Sequence, residues 1–211
     1  MTTQTRPALE FDGIDDYIDC GEASAHRVAS AFTLEAWIYI DSWRPRAAIL
    51  GKHLDGNGDE AGYALQLGDD GNLRLALRTS DGDMVEAVAG APGSLAIASW
   101  HHVAGTFDGT TMRVFVDGAQ VGEQAPYGSD LSWFPEPRLF IALNRDGDEE
   151  HFFHGKIGQV RVWDRAKDGA EISAGMNVRA NGDEPGPGGT SPEEIRRERL
   201  AGRAIPSGGA S

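Results

Sequence analysis

The fold is decided by the stretch Trp100-His101-His102-Val103-Ala104-Gly105-Thr106-Phe107-Asp108-Gly109, which is followed by Met112-Arg113-Val114-Phe115-Val116-Asp117-Gly118. In 103–107 and 112–116 the apolar residues recur at about every second position, as in a strand with one buried face. The Asp-Gly pair between them supplies the positive φ angle that a tight hairpin turn requires. Because a sheet with one apolar face must pack against another sheet, the stretch predicts an all-β antiparallel sandwich.

Two other stretches complete a resemblance to a known family. They are Ala8-Leu9-Glu10-Phe11-Asp12-Gly13-Ile14-Asp15-Asp16-Tyr17-Ile18 and Phe153-His154-Gly155-Lys156-Ile157-Gly158-Gln159-Val160-Arg161-Val162-Trp163. With the central hairpin they resemble the laminin-G-like, concanavalin-A-like jelly-roll family, which includes the pentraxin-related lectins. The resemblance implies a two-sheet jelly roll with a short helix after the last strand. It implies no single function, because the scaffold carries lectins, adhesion modules, enzymes and structural domains.

The chain is predicted to divide into three parts. They are a jelly-roll domain over residues 8–175, a Gly- and Pro-rich linker over 176–190, and a short helix with a flexible tail over 191–211. Within the domain, the alternation in 32–40 predicts a long strand with one buried side. Residues 144–150 are predicted as an acidic loop. A helix is predicted at about 168–175, because Asp168 and Glu171 have the spacing of a capping box.

The composition excludes several classes of partner. A formal charge of -14 argues against nucleic acid and against an anionic membrane surface. No apolar run approaches the roughly 20 residues of a membrane span, so we expect no membrane insertion. Cys20 is the only cysteine, so no internal disulfide can form. The first residues lack the apolar segment of a signal peptide. We therefore expect synthesis in the cytoplasm, followed by retention there or by release or display as part of a larger assembly.

Asp12, Asp15 and Asp16 place three carboxylates within five residues. Calcium binds about six to eight oxygens, many of them from carboxylates, so this turn is the predicted metal site and calcium the predicted cofactor. The family resemblance adds to this, since many members bind a structural calcium close to the opening turn. The alternative is an Asx-rich turn that hydrogen-bonds its own backbone.

Aromatic residues in predicted loops are the candidate ligand contacts. Sugars stack on Trp and Tyr rings while charged and amide groups bind the hydroxyls, and core packing does not obviously require aromatic residues in loops. The alternative is that these residues pack over the edge of the sandwich. The predicted ligand-binding residues are Trp43, Arg44, Tyr127, Trp133 and Phe134.

The sequence lacks the patterns of known catalytic sites. Glycosidases of the resembled fold carry E-x-D-x-E on one strand, and no stretch of this chain matches it. Hydrolysis of a glycosidic bond needs two placed carboxyl groups. We therefore predict that the protein is not an enzyme, and a divergent glycoside hydrolase is the weaker alternative.

The tail has its own helix start at Ser191-Pro192-Glu193-Glu194, which combines an N-cap serine, a first-turn proline and a glutamate at N3. A helix of about ten residues with so few apolar side chains does not fold alone. From Met176 onward the chain has five basic and five acidic residues, so residues 1–175 hold all of the excess negative charge. We predict that the tail docks onto another chain through Ile195, Arg196, Arg197, Arg199 and Leu200.

These observations predict a non-catalytic, calcium-assisted binding module that recognises a carbohydrate or a protein surface. The alternative is a structural or decoration subunit of a larger assembly, anchored through the tail.

Overall fold

The computed structural model describes residues 7–21, 30–54, 61–78, 84–90, 95–125, 138–146 and 149–178. Its strands and helix, in chain order, are β1 (Leu9–Asp12), β2 (Ile18–Asp19), β3 (Phe32–Ile40), β4 (Ala48–Leu54), β5 (Ala61–Leu67), β6 (Leu73–Arg78), β7 (Met84–Val88), β8 (Trp100–Phe107), β9 (Met112–Val116), β10 (Ala119–Gln124), β11 (Phe140–Ile141), β12 (Leu143–Asp146), β13 (Glu149–Phe152), β14 (His154–Trp163) and α1 (Gly169–Gly175). No helix among these residues is long and apolar enough to cross a membrane.

In the described part, two six-stranded antiparallel sheets pack face to face. Sheet A has the order β1-β14-β3-β8-β9-β10, and sheet B has the order β2-β11-β4-β5-β6-β7. The quoted hairpin is β8 and β9, at the centre of sheet A, where Val103 pairs with Val116 and Phe107 pairs with Met112. The predicted all-β sandwich is therefore confirmed, and so is the short helix after the last strand.

The core lies between the sheets and is built by the period-two alternation of the strands. One face of each central strand contributes large apolar side chains that are almost completely buried. They include Phe32, Leu34 and Ile38 of β3, Tyr63 and Leu65 of β5, Leu75 of β6, and Val103 and Val114 of β8 and β9.

The prediction of one buried side for β3 is wrong, because its outer face is covered as well. The segment 164–178, which contains α1, lies across the outer face of sheet A. Ile172 of α1 packs on Ala104 and Phe115. Lys167 reaches the fully buried Glu35, with 2.5 Å between Nζ and Oε1. Trp37 Nε1 donates to the carbonyl of Met176 over 2.8 Å. The first residues of the predicted linker are thus in contact with the sheet.

The prediction of an acidic loop over 144–150 is also wrong. The described residues of this stretch belong to a hairpin of β12 and β13, in which Arg145 is opposite Glu150. Their side chains form an ion pair with Nε 2.9 Å from Oε1. Opposite charges on facing strands stabilise a polar hairpin that shows no apolar alternation in the sequence.

Candidate functional site

Several connections between the sheets lie at one end of the sandwich, which we call the loop end. In sheet A, β1 and β3 end there and β14 begins there, since Asp12 pairs with His154 and Ile40 with Gly155. In sheet B, β5 ends and β6 begins there, with Leu67 opposite Leu73. The turn 13–17 and the loop 41–47 both cross from sheet A to sheet B at this end.

The acidic turn, residues 12–16, brings Asp12, Asp15 and Asp16 together. One carboxylate oxygen of each lies within 4.8 Å of the others, and all three residues are exposed. Asp12 Oδ1 accepts the backbone N–H of Ile14 at 2.8 Å and that of Asp15 at 3.3 Å, and Asp16 Oδ2 accepts the N–H of Asp12 at 3.1 Å. Donation from Ile14 is the main cause that holds the pKa of Asp12 below its usual value.

The donor set of the acidic turn fits a hard cation in kind. All three donors are carboxylates, which suit calcium with its preference for oxygen ligands. The hydrogen bonds inside the turn are those of an Asx turn, so the turn is also closed by its own backbone. Three carboxylates alone do not complete the usual calcium shell of about six to eight oxygens, so backbone carbonyls or water would supply the rest.

The loop 41–46, which we call the Trp43 loop, is fixed at both of its ends. At the start, Asp41 N–H donates to the carbonyl of His154 at 3.1 Å, and Ser42 Oγ lies 2.6 Å from His154 Nδ1. At the end, Asn144 Nδ2 donates to the carbonyl of Arg46 at 3.3 Å. Between these anchors Trp43 is 40% exposed, and Arg44 is exposed as well.

Two glycines of the β5–β6 turn, Gly68 and Gly71, lie directly against large side chains at the loop end. A Cβ atom on Gly71 would lie 3.1 Å from Nε1 of Trp43, so the indole rests directly on the glycine backbone. A Cβ atom on Gly68 would collide with the guanidinium of Arg74. The absence of a side chain at these two positions therefore lets Trp43 lie against Gly71 and Arg74 lie against Gly68.

Arg74 begins a row of polar side chains on the outer face of sheet B, which we call the polar row. Arg74 Nη1 lies 2.6 Å from Glu86 Oε2, and Nη2 lies 3.3 Å from Asp70 Oδ2. Gln66 Nε2 donates to Glu86 Oε1 at 3.5 Å. The N–H of Asn72 and the charge of Arg74 lower the pKa of Asp70.

The structure brings some of the predicted site residues together. Asp12, Asp15 and Asp16 form one cluster, and Trp43 with Arg44 is exposed at the same end of the sandwich. The predicted contacts Tyr127, Trp133 and Phe134 lie outside the described residues, as do the tail residues Ile195, Arg196, Arg197, Arg199 and Leu200. Sequence reasoning missed the polar row. Gln66, Arg74 and Glu86 lie on three different strands, and only the strand register makes them neighbours, while Asp70 lies in the turn before Arg74.

The model of one family matches residues 12–173, which is most of the chain, and its description is the concanavalin A-like lectin/glucanases superfamily. The chain therefore belongs to this superfamily. Three proteins are similar to the chain over most of its length. Pappalysin-1 of the mouse, Mus musculus, is 24% identical over 182 residues, which are 82% of this chain but only 11% of that protein.

Two solved structures share the fold at low identity. A putative carbohydrate binding protein from Bacteroides ovatus has a TM-score of 0.62 and 20% identity over 84% of this chain and 50% of its own. The CBM40 module of the Ruminococcus gnavus IT-sialidase, solved with α2,3-sialyllactose, has a TM-score of 0.60 and 14% identity over 82% of this chain and 98% of its own. At these low identities, the two structures show that the fold is shared.

Proposed function

We propose that the protein is a non-catalytic binding module that recognises a carbohydrate at the loop end. The observation that carries the proposal is Trp43, an indole that is 40% exposed and rests on Gly71 beside the polar row. An exposed indole on an anchored loop offers a preorganised aromatic face that a ligand can cover. The sugar-binding neighbours support the same choice of ligand.

The chemistry of the loop end matches that of a glycan. An indole face binds the apolar C–H face of a sugar ring, in the way that aromatic rings anchor other ligands. The carboxylates of Asp70 and Glu86 accept hydrogen bonds from sugar hydroxyls, while Arg74 donates. Because the ion pairs with Arg74 already orient these groups, little side-chain freedom is lost on binding.

Two of the described carboxylates do not suit the role of the general acid in hydrolysis. A general acid needs a raised pKa, whereas the pKa of Asp70 is lowered. Glu35 is completely buried and paired with Lys167, so a substrate in solvent does not reach it. These two features support the non-catalytic part of the proposal.

Trp43→Ala is the direct test, made by calorimetric titration with neutral and sialylated oligosaccharides. We expect the variant to lose at least about tenfold in affinity, the usual cost of removing a central aromatic contact. Met84→Ala is the matched control, because Met84 is 42% exposed and begins β7 at the opposite end of sheet B. Equal affinities of wild type and Trp43→Ala would remove the loop end as the binding surface. Binding of a protein surface but no glycan would favour the protein-ligand alternative.

Calcium assistance is the second part of the proposal, with Asp12, Asp15 and Asp16 as ligands. Free calcium at about 100 times its Kd should stabilise the fold by about 2.7 kcal/mol. The double variant Asp12→Asn, Asp16→Asn should abolish that gain in thermal unfolding. A melting temperature that is the same in calcium and in chelator would contradict calcium binding and leave the Asx turn as the role of these residues.

An assembly role through the tail is retained as the alternative proposal. Its support is the contrast between a neutral tail and residues 1–175, which carry the whole charge of -14. A neutral segment approaches a partner with less repulsion than an acidic one.

A further inference from the structure

One residue, His154, contacts both the acidic turn and the Trp43 loop. It begins β14 and pairs with Asp12 in the ladder with β1. A Cβ atom on Gly13 would lie 2.7 Å from the Cβ of His154, so the backbone of the acidic turn rests on this side chain. The ring of His154 also contacts Ser42 through Nδ1, and the backbone carbonyl of His154 accepts the N–H of Asp41.

The Trp43 loop has little room to move independently of His154. Only Trp43, Arg44 and Pro45 lie between the Ser42 anchor and the Arg46 anchor, and all three are exposed. Because Ser42 and Trp43 are adjacent residues, a displacement of Ser42 also displaces Trp43. The contact between the indole and Gly71 then changes as well.

We propose that His154 is a positioning residue that couples the acidic turn to the Trp43 loop. Its ring fixes Gly13 and Ser42 relative to each other, so a ligand that orders the acidic turn also orders the loop that presents Trp43. By linkage, the effect is reciprocal for binding at the two places. The consequence for ligand affinity rests on the proposed function, whereas the coupling itself is a property of the chain without ligand.

The coupling is tested first without any ligand, by residue-resolved amide hydrogen exchange on the full chain. The N–H groups of Ile14 and Asp15 are bonded to Asp12 and report on the turn. Ser42→Ala removes the hydrogen bond to His154 and should speed exchange at these two amides about fivefold, the effect of one ordinary hydrogen bond. Ser173→Ala, an exposed serine on α1, is the control and should leave both rates unchanged.

A conservative change separates positioning from simple packing. His154→Asn keeps a polar atom near the place of Nδ1 and should hold the exchange rates near those of wild type, whereas His154→Ala should raise them as Ser42→Ala does. Unchanged rates at Ile14 and Asp15 in Ser42→Ala would overturn the proposal, whether or not the protein binds a ligand.

A titration with calcium alone then tests whether ordering of the acidic turn also orders the Trp43 loop. In wild type, calcium should slow exchange at Ile14 and Asp15 and, by about fivefold or more, in the Trp43 loop. In Ser42→Ala the turn should still be protected while the loop is not. Equal loop protection in both proteins would contradict the coupling. Lack of any protection in wild type would instead contradict calcium binding, and the metal-free rates would still decide the role of His154.

Discussion

Gly13 is the residue at which the acidic turn meets the rest of the loop end. Its φ angle is +73° and His154 lies directly against it, whereas Gly21 has a φ of +78° and nothing within 4 Å of a Cβ atom. The two glycines therefore share the backbone conformation and differ in their surroundings. Of these two glycines, Gly13 is the one that combines a left-handed backbone with a close neighbour.

Alanine at these two positions should have different costs. Gly21→Ala should destabilise the fold by about 1 kcal/mol, from backbone strain alone. Gly13→Ala should cost about 1–3 kcal/mol more, because the new methyl group displaces His154. Chemical denaturation of both variants measures the difference. Equal free energies of unfolding would show that the turn does not rest on His154.

At this scale, the clustering of Asp12, Asp15 and Asp16 could be predicted because they are close in sequence. The exposure of Trp43 could be predicted from its place in a loop. The polar row could not be predicted, because Glu86 meets Arg74 only through the register of β6 and β7, although Asp70 is close to Arg74 in the sequence. A shift of one residue in that register would move Glu86 to the other face.

At the scale of elements, the segment 164–178 is held on sheet A largely by polar contacts. Thr33 Oγ1 donates to the carbonyl of Arg165 at 2.8 Å and accepts the N–H of Lys167 at 2.9 Å. Burial alone would raise the pKa of Glu35, but the nearby His102 and the hydrogen bond from Lys167 outweigh it and hold that pKa below its usual value. The buried Glu35–Lys167 pair therefore ties this segment to β3.

Glu35→Gln should destabilise the protein by about 3–5 kcal/mol at neutral pH, because it leaves Lys167 buried without its carboxylate. The stabilisation from Glu35 is present above its unfolded pKa and is lost as the pH falls through its lower folded pKa. Wild type should thus lose stability below about pH 4.5, while the variant changes less there.

The control for this prediction is Glu10→Gln. Glu10 is exposed and pairs with Lys156 at 3.4 Å on the same sheet. Its replacement should change the free energy of unfolding by less than about 1 kcal/mol. Similar losses in the two variants, measured by denaturation across pH, would mean that the buried pair does not hold the segment.

The long apolar strands could be predicted from alternation, and the helix α1 from its capping box, because both signals are local; the polar hairpin of β12 and β13 could not. The helix begins after Asp168, whose side chain accepts the N–H of Glu171 at 2.8 Å. The cover over β3 could not be predicted. Glu35 and Lys167 are 132 residues apart, and nothing near Glu35 in the sequence indicates that a distant segment buries it.

At the scale of the whole molecule, the described contacts of the domain reach residue 178. Arg161 Nη2 donates to the carbonyl of Val178, and Trp37 donates to that of Met176. The resemblance covered the domain to about residue 175. The family match covers residues 12–173 and the last described element, α1, ends at Gly175, while the tail with the predicted docking residues lies outside the described residues.

Deletion of residues 179–211 should leave the melting temperature unchanged, because the described contacts are kept. It also removes no net charge, since the deleted part holds five basic and five acidic residues. Deletion of 176–211 should cost at least about 1 kcal/mol, from the lost hydrogen bonds of Trp37 and Arg161.

Native mass measurement of the shorter deletion then tests the assembly proposal. We expect it to dissociate any oligomer or complex that the full chain forms. An unfolded product would show that the tail belongs to the domain. An unchanged mass together with unchanged stability would contradict docking through Ile195 and Leu200.

The most direct test of the binding proposal is a titration of the isotope-labelled protein with the oligosaccharide that binds best in calorimetry, followed by amide and indole NMR shifts. The proposal predicts that the largest changes occur at the indole of Trp43 and at the backbone of residues 41–46 and 68–72. Saturable shifts confined to other parts of the chain, with the Trp43 indole unmoved, would contradict it.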